Sequence, residues 1–358
     1  MKFLIDIGHP AHVHLFKHFS WEMEKRGHSI FFTTREKECT IELLEHYGFH
    51  YYNFGKTYKN LVGKIFGIIH FSLLLLFYAI KNKPDIYLSH SAIYPSIVSW
   101  ILRKPHFAIE DTGNMEQVRF AQKLKSIFLT STSFKTKLSE NQVYYKGYHE
   151  LAYLHPNNFK ADKNIKKELG LKDDEKYVLV RFVSWNASDD IGQKGFSVDF
   201  KEKFVNEILK HARVFISAEG KLEKSLKKYR LNIPAHKMHD VIASASLFVG
   251  EGATMAAESA VLGIPAIHVN TKRADYCKEL EQQYNLLFIF KNNQGVIEKA
   301  MELLNTKDVK NIWKEKKEKM LSEKIDVTKF FCWFAENYPE SLKIMKSNPE
   351  YQDRFLLS

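Results

Sequence analysis

The run SLFVGEGATMAAESAVLGIPAI, residues 246–267, holds the residues best suited to chemistry. A short apolar strand at 247–249 ends at Gly250. Gly252 suits a tight turn and leaves room for a ligand to approach the backbone. A helix then starts near Ala253, and its unpaired N–H groups and dipole make a place for a diphosphate. Thr254 adds a hydroxyl donor. Glu258 lies one turn further on the same helix face, where it could accept both hydroxyls of a ribose. The same residues also fit a plain strand–turn–helix, with Thr254 as cap and Glu258 on the surface. Neither G-x-G-x-x-G nor a P-loop occurs, because Gly252 is followed by Met255 at the position a third glycine would take.

A second group is Gly8-His-Pro-Ala-His-Val-His14, after the first strand. Open α/β sheets place ligands at that edge. His12 titrates near neutrality and suits a general base, or else it orders the loop. His12 and His14 are two apart and do not share a helix face, so no metal site is expected from them. A third group is Ile109-Glu110-Asp111-Thr112-Gly113. Adjacent carboxylates on a strand point to opposite sides, so one faces the ligand edge and the other caps the next helix. Ser184, Trp185 and Asn186 follow the first strand of the second half and offer phosphate or sugar contacts. Arg181, within that strand, is expected to pair with a carboxylate.

These groups must be positioned by alternating strands and helices. Residues 3–7, 29–33, 85–89, 107–110, 126–130 and 142–145 read as strands separated by helical runs. The pattern restarts at 177–183, 214–217, 247–249, 265–269 and 286–289, with helices at 200–211, 221–229, 239–245, 253–262 and 296–304. Such alternation argues for mostly parallel sheets covered on both faces. Residues 147–162 read as the junction. We therefore expect an α/β protein of two Rossmann-like domains facing across a cleft: residues 1–150, residues 151–325, and C-terminal helices at 326–358 packing back toward the first.

Composition narrows the partners. The 358 residues are 45% hydrophobic and carry a formal charge of +11. Much of the excess lies in helical segments that also carry Glu, such as 307–324. No zinc-finger spacing or basic-aromatic alternation points to nucleic acid. Cys39, Cys277 and Cys332 form neither a disulfide framework nor a metal pair, which fits a reducing compartment. The opening MKFLIDIGHP reads as a strand rather than a secretory signal, so a cytoplasmic location is expected. Residues 65–80 are the longest apolar stretch, shorter than the ~20 residues of a membrane span. They read as a buried helix or as a surface that docks on membrane, with Lys56, Lys59, Lys64, Lys81 and Lys83 suited to anionic lipid.

The 246–267 run resembles the nucleotide-sugar motif of the GT-B superfamily, which includes the lipid II GlcNAc transferase and the UDP-GlcNAc 2-epimerases. Nearly the whole chain resembles an uncharacterised group within it, through GHPAHVHLF, RFVSWNA and GATMAAESAVLGIPAI. The resemblance implies a ribose role for Glu258, phosphate roles for Gly252, Ala253 and Thr254, and a base pocket near Lys237 and Met238. It implies an acceptor-activating role for His12 and a catalytic role for Glu110, as in the epimerases. The epimerases' histidine–glycine–aspartate run is replaced by Ser89-His90-Ser91-Ala92, and their histidine–arginine pair by Ser184-Trp185. The thinner acid–base set favours transfer from a UDP-sugar to a glycan or lipid-linked acceptor, with no tightly bound cofactor and no metal. An epimerase and a non-catalytic nucleotide-sugar-binding or membrane-docking protein are the alternatives.

Overall fold

A computed structural model describes residues 1–58, 61–90, 92–111, 115–183, 195–271 and 274–357. Ser184, Trp185, Asn186, Thr112, Gly113 and Lys59 lie outside the described residues. The chain forms two compact units, Met1–Asn158 with Lys324–Ser358, and Phe159–Glu323.

The first unit is built on seven strands: β1 Lys2–Ile7, β2 Ser29–Glu36, β3 Tyr51–Lys56, β4 Ile86–His90, β5 His106–Glu110, β6 Ile127–Ser131 and β7 Gln142–Tyr145. Their order is β3-β2-β1-β4-β5-β6-β7, every pairing parallel. The second unit holds β8 Tyr177–Phe182, β9 Arg213–Ala218, β10 Leu247–Gly250, β11 Ala266–Val269 and β12 Leu287–Phe290, in the order β12-β11-β10-β8-β9, again parallel. Parallel strands buried on both faces are mostly apolar, and β5, β6, β10 and β11 are buried at every residue. The two-sheet α/β expectation is met.

Strand order reverses between β1 and β4 in the first unit and between β10 and β8 in the second. These are the switch points where open sheets leave a crevice at their carboxyl ends.

Three local expectations fail for physical reasons. Strand β3 was not anticipated, because it lies at the sheet edge and YYNFGK has no continuous apolar run. Residues 221–229 form only a 3-10 turn at Lys227–Tyr229, since Leu222 and Leu226 alone offer too little apolar surface to hold a longer helix. The apolar stretch 65–80 extends to a helix of 22 residues, Leu61–Asn82, long and apolar enough to cross a membrane by length and composition. It is not simply buried. Phe71, Leu75 and Ala79 pack against Leu4, Tyr87 and Val98, while Val62, Ile65, Phe66, Ile69, Leu73, Phe77 and Ile80 are exposed.

His106 on β5 is buried among three hydroxyls: Ser89 Oγ at 2.8 Å, Ser126 Oγ at 2.8 Å and Ser96 Oγ at 3.3 Å. Burial pushes its pKa down to about 3, so the fold holds it neutral. In the unfolded chain it protonates below about pH 6.5. Between these values the unfolded state binds the extra proton, so stability falls as pH falls. His106 alone is expected to remove about 2 kcal/mol by pH 5. Urea unfolding of the first unit at pH 7 and pH 5 checks this; His106→Gln should lose correspondingly less on acidification.

Candidate functional site

In the second unit, β10 leads through Glu251 and Gly252 into the helix Ala253–Leu262. Gly252 is the N-cap and has no side chain with which to cap the helix. Thr254 is therefore not the cap, and it is exposed. Gly252 has φ −86°, an ordinary value, and an added Cβ would meet only Val183 at 3.6 Å. The tight-turn reason for a glycine does not hold here, and packing does not require one. Gly250 is different, since a Cβ there would fall 2.7 Å from Phe248 and 2.8 Å from Arg181. Gly263 closes the helix at φ +78°, the left-handed cap glycine favours.

Glu258 is not a surface residue. It is 4% exposed, and His239 Nε2 lies 3.0 Å from its Oε1. His239 comes from the helix Met238–Ser244, so the carboxylate is held in one orientation by a neighbouring helix. Met238, half-buried, begins that helix, and Lys237 just before it is ion-paired with Glu168. Arg181 pairs with Glu219 at 2.7 Å.

Glu251 was not singled out from the sequence, because an acid between two glycines reads as a solvent-facing turn. It is 1% exposed. Its Oε2 accepts from Val183 N at 2.9 Å and its Oε1 from Phe196 N at 2.6 Å. One carboxylate thus ties the two flanks of residues 184–194 to the start of the Ala253–Leu262 helix.

In the first unit, the loop after β1 brings His12 to the switch point. Its ring stacks on His90 at the end of β4, with centroids 4.6 Å apart. Burial, followed by the neighbouring charge of His90, holds the His12 pKa well below the ordinary histidine value, so it is neutral at pH 7. Gly8 N donates to its Nδ1 at 3.3 Å. The loop is ordered by His9, whose Nδ1 accepts from Ala11 N at 3.2 Å as the cap of the helix Pro10–Lys25. His14 is buried near Tyr47.

Glu110 is fully buried, and its Oε1 accepts from Asp111 N at 3.0 Å. The Oδ1 of Asp111 meets His90 Nε2 at 3.0 Å and its Oδ2 meets His149 Nδ1 at 2.9 Å. The two histidines hold the Asp111 carboxyl far below its usual range, and Asp111 in turn raises His90 to about 9 against the opposing effect of burial. His90 and His149 were also not proposed as site residues. They stand 21 and 38 residues from Asp111, and only the order of β4, β5, β6 and β7 brings them together.

A family model described as "Protein of unknown function (DUF354)" matches residues 1–329. The uncharacterized protein MJ0665 of Methanocaldococcus jannaschii is 24% identical over 274 residues, covering 74% of this chain and 80% of that protein. Among solved structures, S. aureus MnaA with UDP superposes with a TM-score of 0.65 at 12% identity, over 90% of this chain and 95% of that one. The UDP-GlcNAc 2-epimerase of M. jannaschii gives 0.63 at 13%, over 86% and 94%. The glycosyltransferase VinC with dTDP gives 0.58 at 10%, over 97% and 100%. These likenesses establish a GT-B-like fold.

Proposed function

Since the chain belongs to the DUF354 family and carries a GT-B-like fold, we propose that it is a glycosyltransferase using a nucleoside-diphosphate sugar, with UDP as the nucleotide. The observation that carries this reading is the helix start at Gly252. It lies at a switch point, has a glycine with no capping side chain as its N-cap, and has a fixed buried acid one turn beyond Thr254. The diphosphate rests on the amides of Gly252, Ala253 and Thr254. The ribose diol meets Glu258, and the base lies by Lys237 and Met238. Ser184 and Asn186 contact the sugar or phosphate.

His12 takes the proton of the acceptor hydroxyl. For this the ring proton sits on Nδ1 and the lone pair on Nε2, which forfeits the contact with Gly8 N. That contact is long at 3.3 Å, but the tautomer then sets two N–H groups facing each other, at a cost of about 1–3 kcal/mol. Glu110 supports proton transfer nearby.

A second reading, a UDP-GlcNAc 2-epimerase-like enzyme, is favoured by one observation. Glu110, Asp111, His12, His90 and His149 gather at one sheet edge, a fuller acid–base set than the motifs alone suggest. An NMR time course with UDP-GlcNAc, with and without a glycan or lipid extract, separates the readings. Transfer predicts UDP release only with acceptor. A rearranged sugar without acceptor supports epimerisation, and UDP binding without turnover supports a non-catalytic binder.

A lipid-linked acceptor would be met at a membrane. The exposed row on the helix Leu61–Asn82 supports peripheral docking from the cytoplasmic side: Val62, Phe66, Ile69 and Phe77 are 56–78% exposed, and that helix holds no acidic residue. Exposed Lys64, Lys81 and Lys83 add attraction to anionic lipid. Co-sedimentation with phosphatidylglycerol vesicles should be clear for the wild type. It should fall at least roughly tenfold when Phe66, Ile69 and Phe77 become Ser.

A further inference from the structure

His90, Asp111 and His149 come from the ends of β4 and β5 and the turn after β7. Their candidate ligand atoms all lie within 4.8 Å of one another. The side chains are 15%, 11% and 8% exposed, so this is not a solvated surface cluster. A carboxylate only accepts, so each imidazole nitrogen aimed at one of its oxygens requires an N–H hydrogen or a cation between them. A proton on each ring meets this need, and so does one shared cation. The spacings of 3.0 Å and 2.9 Å are those of direct N–H···O hydrogen bonds, and a widening of about 0.5 Å brings them to the roughly 3.4 Å between two ligands of a tetrahedral ion held at about 2.0–2.2 Å. Second contacts orient the rings. His90 also bonds its own backbone, His12 stacks on its face, and the His149 ring lies edge-on at 5.4 Å.

We propose that His90 Nε2, Asp111 and His149 Nδ1 form a binding site for a divalent first-row transition ion of the Zn²⁺ or Co²⁺ type. Two nitrogens and one carboxylate suit a borderline ion rather than Mg²⁺ or Ca²⁺, which take oxygen ligands. Three protein ligands leave a fourth position for an exchangeable oxygen ligand, the arrangement of reactive rather than purely structural metal sites. The proposal stands apart from the nucleotide reading, because every ligand lies in the first unit and the proposed nucleotide contacts lie in the second.

The test uses the full chain, treated with chelator and titrated with cobalt chloride. We expect one equivalent to bind per chain with the intense visible absorption of four-coordinate Co²⁺. Asp111→Asn and His149→Ala should each weaken binding by roughly 100-fold or more, beyond the effect of losing an outer partner. His50→Ala, at an exposed histidine, should bind as the wild type does. Circular dichroism reports whether the variants fold. If they do not, X-ray absorption of the wild-type Zn²⁺ form decides, with two imidazoles in the inner shell expected. Only the weak spectrum of hydrated cobalt, equal binding by all variants, or a shell without imidazole would overturn the proposal.

Discussion

Replacing His12 with alanine is expected to lower turnover by roughly 10²–10⁴-fold while leaving UDP affinity within about twofold of wild type. The separation follows from the fold. His12 belongs to the first unit, at the β1–β4 switch point, and the proposed nucleotide contacts belong to the second. Its half-buried ring is neutral at pH 7, so no proton has to leave before it can act. Removing it leaves donor binding intact and takes away only the group that exchanges a proton in the transition state. Initial rates with a UDP-sugar and acceptor, beside calorimetric UDP binding, check both halves. A parallel fall in affinity would make His12 a binding residue, and an unchanged rate would remove it from the chemistry.

Glu258→Ala is expected to weaken UDP binding by roughly 100-fold, or about 2.7 kcal/mol. Two hydroxyls donating to one carboxylate account for this, since hydrogen bonds to charged groups contribute about 1.5–3 kcal/mol each and are not additive. The pair with His239 adds a structural cost, because truncation leaves a buried imidazole without its carboxylate. A thermal melt measures that cost separately. The sharper readout is selectivity: wild type should prefer UDP to 2′-deoxy-UDP, and the variant should not. Lost affinity with selectivity retained would mean that the acid supports the fold and does not touch the ribose.

The sheets were legible because parallel strands covered on both faces read as near-continuous apolar runs, as LFVG and the IFL that opens β6 do. The order of elements around Gly252 followed from the same rule. What stayed hidden depends on the third dimension. The Asp111 pairings stayed hidden because its neighbours in sequence give no hint of His90 and His149, which other strands deliver. Glu251 read as part of a turn, yet its carboxylate holds Val183 and Phe196. The helix Leu61–Asn82 read as buried or membrane-facing because both of its sides are apolar, and composition cannot say which side the sheet covers. The turn at Lys227–Tyr229 read as a helix because charged residues with two leucines have helical propensity but too little surface to bury.

A crystal structure of the chain grown with UDP tests the central claim most directly. Diphosphate oxygens are expected within hydrogen-bonding distance of the backbone amides at 252–254, with both ribose hydroxyls on the carboxylate that His239 holds. A nucleotide bound elsewhere, or a turn at Gly252 that stays bare at millimolar UDP, would contradict it and leave the fold without the donor site.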